Sequence, residues 1–97
     1  MIFVGDIALP FKTAIHYDLP ETFNNKCIIG NLEGALVNDS SKYIKTFSVV
    51  NEFQAIKSLC EKGDFNFSLS NNHIFDNNDF DETIKNLNNL GVNHFGA

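Results

Sequence analysis

Phe65-Asn66-Phe67-Ser68-Leu69, followed without a break by Ser70-Asn71-Asn72-His73-Ile74-Phe75-Asp76, is the stretch on which the fold turns. The first five residues form an apolar run of strand length. The next seven carry amide, imidazole and carboxylate groups. A strand that empties into such side chains belongs at the carboxyl edge of an open α/β sheet, where that class of fold places its chemistry.

Helical signals flank the stretch on both sides. Upstream, Asn51 reads as an N-cap with Gln54 as its capping-box partner. Phe53, Ile56, Leu59 and Cys60 then share one face at helical spacing, and Lys62-Gly63 supplies a cation and a C′ glycine. Downstream, Asp79 and Glu82 form a second box, and Phe80, Ile84, Leu87 and Leu90 make the apolar stripe. Gly91 stops that helix, and Val92-Asn93-His94-Phe95 reads as a strand. Helix, strand, helix and strand with short joints predict an α/β fold of layered βαβ units with a mainly parallel sheet.

Toward the amino terminus, residues 1–7 are a nearly continuous apolar run, which suits a strand buried on both faces. Pro10 and Pro20 punctuate an irregular segment, and Asn24-Asn25 reads as a turn. Cys27-Ile28-Ile29 is a second short strand, followed at once by Gly30-Asn31-Leu32-Glu33-Gly34. Residues 37–43 have loop composition, and residues 44–50 suit a short extended piece. His16 reads as a loop histidine and His94 as structural, on the last strand beside Phe95.

The chain has 97 residues, a net charge of -5 and 43% hydrophobic residues, which suits a single domain over residues 1–97. The acidic balance leaves no basic patch for phosphate backbones, so nucleic acid is excluded as a partner. No run has the length of a membrane-spanning helix, and residues 1–7 lack the pattern of a signal peptide, so a cytoplasmic location is expected. Cys27 and Cys60 read as reduced, buried thiols, and two cysteines in unrelated segments make no zinc motif. Residues 76–87 fail as a calcium loop, because the sixth position is not glycine and Leu87 stands at the twelfth.

Three of the four apolar strands end in polar chemistry: the first at Asp6, the second at Asn31 and Glu33, the third at Asn72 and His73. In a parallel sheet these ends lie on one edge. Taken singly, each has a plain reading, with Asp6 a strand-end turn former, Glu33 a solvated charge and His73 a loop hydrogen-bonder. Together, two carboxylates, an amide oxygen and an imidazole suit Mn²⁺, Fe²⁺, Zn²⁺ or Mg²⁺. One or two such cations would support hydrolysis by lowering the pKa of a bound water.

Val4-Gly5-Asp6, Asn31-Leu32-Glu33-Gly34, Ser70-Asn71-Asn72-His73 with Asp76, Thr83, and Leu90-Gly91 leading to Gly96-Ala97 occur in order across nearly the whole chain. This set resembles the N-terminal part of the CapA family of poly-γ-glutamate (capsule) biosynthesis proteins, which is similar to calcineurin-like metallophosphoesterases. The resemblance implies a metallophosphoesterase-type half domain in which Asp6 and Asn72 are metal ligands, Glu33 bridges two metals, and His73 is the catalytic acid. It implies a phosphorylated or polyglutamyl substrate. Two departures stand out: Asn77-Asn78 follow Asp76 where the family has an aromatic residue and a glycine, and the family's later histidine ligands have no counterpart here. The expectation is therefore a metal-dependent hydrolase when complete, inactive as this chain alone, in a family whose members are often membrane-anchored or exported. The alternative is a non-catalytic α/β interaction module that pairs with a second chain or with a missing C-terminal half.

Overall fold

A computed structural model of the chain describes residues 1–10, 18–43, 49–71, 74 and 80–96. Strand β1 (Ile2–Ile7) is followed by a short 3-10 turn (Glu21–Phe23), β2 (Cys27–Leu32), β3 (Ala35–Val37) and a second 3-10 turn (Ser40–Tyr43). Then come β4 (Val50–Glu52), α1 (Phe53–Cys60), β5 (Asp64–Ser68), α2 (Phe80–Leu90) and β6 (Asn93–Phe95). The order β1-β2-β5-β6 forms a four-stranded sheet in which every neighbouring pair is parallel, and β3 and β4 pair in parallel as a second, smaller sheet. The α/β class with a mainly parallel sheet is the one expected from the sequence.

Strand order and handedness explain where the core sits. Successive strands of the main sheet step always in the same direction, and crossovers of the usual right hand would put α1 and α2 on one face. The core agrees. Ile28 and Leu32 of β2 and Phe65 and Phe67 of β5 pack with Ile56 and Leu59 of α1 and Leu87 of α2, with Val4 and Ile7 of β1 at the margin. Burying each such side chain contributes about 1.5–3 kcal/mol. The opposite face carries Phe3, Ile29, Asn66 and Asn93 in one register row, and none of them belongs to a core cluster. Phe3 is 72% exposed.

Several local expectations need correction. Asn51 does not cap α1: it lies in β4, and Glu52 occupies the N-cap position with no side-chain cap bond. The buried Asn51 amide instead accepts from Leu9 N–H at 2.7 Å and donates to the Glu33 carbonyl at 2.7 Å. Gly63 is not a left-handed terminator of α1, whose C-cap is Glu61 in helical conformation. Gly91, by contrast, has φ +68° after α2, as its position predicts. Glu82 has a tertiary partner, accepting from Asn38 N–H at 2.7 Å. Asp79 lies outside the described residues, as do His16 and residues 44–48 of the expected extended piece.

The apolar stripe of α2 is only part of its buried surface. Thr83 and Asn86 are also buried, where Thr83 Oγ1 accepts from Leu36 N–H at 3.0 Å and Asn86 Nδ2 donates to the Leu36 carbonyl at 2.9 Å. The helix thus satisfies a backbone edge of β3 with side chains, as a buried strand edge requires. Among the described residues, no helix is long and apolar enough to cross a membrane.

Candidate functional site

The site is built on a break in strand pairing. Phe3 pairs with Ile29 and Asp6 with Asn31, so β1 spends three residues where β2 spends two. In regular pairing Gly5 would stand opposite Asn31, and Asp6 would stand opposite Leu32 and face the core. One extra residue reverses the alternation, as a β-bulge does, and turns Asp6 onto the face that Asn31 uses. Glu33, two residues beyond Asn31, falls on that face as well.

The result is a polar edge at the carboxyl ends of β1 and β2. Asn31 Nδ2 donates to Asp6 Oδ1 at 2.7 Å and to Glu33 Oε2 at 2.7 Å. The end of β5 joins through Asn71, whose Nδ2 donates to Asn31 Oδ1 at 3.2 Å and to the Leu32 carbonyl at 2.7 Å. Asn71 Oδ1 accepts from Gly34 N–H at 3.2 Å. Glu33 N–H bonds the Ile7 carbonyl at 3.0 Å, which continues the β1–β2 ladder past the strand end.

Gly34 permits this turn. Its φ is +80°, and a Cβ there would collide with the Val49 carbonyl, so only glycine fits between the two sheets.

Of the residues singled out from the sequence, Asp6 and Glu33 therefore meet through one amide. Asn72, His73 and Asp76 lie outside the described residues. Asn71 and Asn31 were not assigned roles by sequence reasoning, and they knit the edge together. The signal available was the pairing of asparagines with strand ends, but asparagine is common throughout this chain and its partners are remote in sequence. Among the described residues, no group of three or more His, Cys, Asp or Glu side chains is placed to hold a metal ion. The described donors of the edge are hard oxygens, two carboxylates and neighbouring amides, which suit Mg²⁺ or Mn²⁺ better than a soft-ligand metal.

A separate depression of about 570 Å³, lined by Phe23, Lys26, Cys60, Lys62 and Asp64 among others, opens at the opposite edge, where β2 and β5 begin. Its cations and anions are mixed, and it brings together no set of catalytic groups. At its rim, burial and then the charge of Glu61 push the Cys60 thiol up to about 12, so it stays protonated.

A family model described as bacterial capsule synthesis protein PGA_cap matches residues 2–97. No curated protein and no solved structure matches the chain.

Proposed function

The chain belongs to the bacterial capsule synthesis protein family PGA_cap, and from that premise we propose that the Asp6–Asn31–Glu33 edge is one wall of a divalent-cation site serving a phosphoesterase-type hydrolysis. The observation that carries this reading is the convergence of two carboxylates, 25 or more residues apart in the chain, on the single Asn31 amide. Structural necessity does not demand it, because surface carboxylates are better hydrated apart than held together.

In this reading Asp6 and Glu33 supply the charged oxygen ligands and Asn72 a neutral one. Such a cation lowers the pKa of a bound water and polarises a phosphoryl oxygen. His73 delivers the proton to the leaving oxygen. The substrate is a phosphorylated or polyglutamyl compound, an anion whose approach to a chain of net charge -5 a bound cation would favour. One or two ions would be held, the second needing ligands from beyond the residues named here.

The test is Mn²⁺ binding by isothermal titration calorimetry, coupled to hydrolysis of bis(p-nitrophenyl) phosphate. Asp6→Ala is expected to abolish binding, and His73→Ala to spare binding while abolishing turnover. Unchanged metal-dependent turnover in both variants sinks the reading.

A second reading is favoured by the sheet face opposite the core, where, among the described residues, Phe3 is 72% and Phe95 49% exposed. Parallel sheets are normally covered on both sides. In this reading the chain is an interaction module whose open face meets another polypeptide. Light scattering that shows a monomer, together with no protection of Phe3 and Phe95 in the presence of cell extract, counts against it.

A further inference from the structure

Asn31 stands at the centre of the polar edge, between groups of opposite hydrogen-bonding demand. Asp6 and Glu33 carboxylates can only accept, so the NH₂ of Asn31 must face them. The Asn71 NH₂ can only donate, so it must face the Asn31 oxygen. All three neighbours select the same amide orientation. A planar amide directs its two N–H bonds along set lines, so two acceptors on one nitrogen have their separation and direction set by it. Both bonds are also charge-assisted, which makes them the strong members of the network.

Asn71 is itself anchored. It donates to the Leu32 carbonyl at 2.7 Å and accepts from Gly34 N–H at 3.2 Å, gripping the backbone on both sides of Glu33. It also directly precedes the Asn72-His73 pair. A single side chain therefore ties the loop after β5 to the carboxylate pair after β1 and β2.

We propose that Asn31 is a positioning residue that sets the spacing of the Asp6 and Glu33 carboxylates, and that Asn71 locks the orientation in which it does so. The proposal rests on the cation-site reading for its purpose, but the geometry it asserts is independent of that reading. Without the bridging NH₂, two neighbouring carboxylates repel and swing apart into solvent, and a cation then meets a splayed pair.

Two measurements on the full chain test it. In the ¹⁵N–¹H spectrum, the two Asn31 Nδ2 protons are expected well away from the positions of solvated asparagine amides, and to move toward them in Asn71→Ala. In calorimetry with Mn²⁺ as the only added cation, Asn31→Leu is expected to weaken binding about 10–100-fold, the range for residues that orient metal ligands. Solvated-like Asn31 resonances in the parent chain, or resonances indifferent to Asn71→Ala, overturn the proposal. So does Mn²⁺ binding of parental strength in a folded Asn31→Leu. If the resonances behave as expected but the parent chain binds no Mn²⁺, the positioning role stands and the cation-site reading falls.

Discussion

Asn51 donates from its side-chain amide to the backbone carbonyl of Glu33 at 2.7 Å. With its oxygen it accepts from Leu9 N–H, also at 2.7 Å. One fully buried side chain thus joins β4 to the loops that leave β1 and β2. The polar edge is held from behind by this residue and from the front by Asn71.

Replacing Asn51 by Ala removes the bonds that its buried amide makes to the half-buried Leu9 N–H and Glu33 carbonyl. Losing two such bonds is expected to cost about 1–3 kcal/mol. Urea unfolding followed by circular dichroism measures this, and a loss under about 0.5 kcal/mol, the level of an inconsequential surface change, contradicts it.

Gly34 and Gly91 both have positive φ, +80° and +68°, but only Gly34 is crowded. Gly91→Ala has open space and is expected to cost only the backbone term, about 1 kcal/mol. Gly34→Ala adds a collision with the Val49 carbonyl and is expected to cost well over twice as much. Equal losses in paired melting curves would refute the distinction.

Deleting Gly5 removes the extra residue of β1 and is expected to give regular β1–β2 pairing with Asp6, then two residues beyond Phe3, still opposite Asn31 on the same face. The Asp6–Asn31 contact should remain detectable by nuclear Overhauser effect, and Mn²⁺ binding, if the parent has it, should persist. Loss of that contact in a folded variant shows that the register read from the Phe3 and Asn31 pairings does not aim Asp6.

The Cys60 thiol is raised from 9.0 to about 12, first by burial and then by Glu61. The sign follows directly: above pH 9.0 the unfolded chain releases this proton while the folded chain retains it. The contribution to stability is therefore complete below pH 9.0 and is lost progressively as pH rises toward 12. Unfolding free energy should fall across that window, and Cys60→Ala should flatten the fall. Rapid alkylation of native Cys60 near pH 8, before any unfolding, would contradict a retained proton.

Thr83→Val keeps shape but removes the acceptor for Leu36 N–H, a fully buried bond of 3.0 Å. A loss of about 1–3 kcal/mol is expected, with amide exchange at Leu36 accelerated. Unchanged protection at Leu36 would show that α2 does not satisfy the β3 edge.

The sequence by itself determined the elements whose signals are local. Apolar runs at β1, β2 and β5, the 3.6-residue stripes of α1 and α2, and Gly91 after α2 were all legible, because periodicity and terminal residues act within a few positions. The parallel class and the convergence of strand ends followed from their alternation. The bonds of Asn51, Thr83 and Asn86 were not legible, since their partners lie 18 to 50 residues away. Asn51 sits just before a helix, where a cap and a cross-link look the same in sequence. The strands β3 and β4 were missed for a similar reason: they have no local signal such as the Gly91 stop that precedes the equally short β6, and pairing alone makes them strands. Only the tertiary structure decided that Asp6 faces Asn31, because one extra residue in β1 flips every side chain beyond it, and the register of a strand belongs to the pair and not to either strand alone.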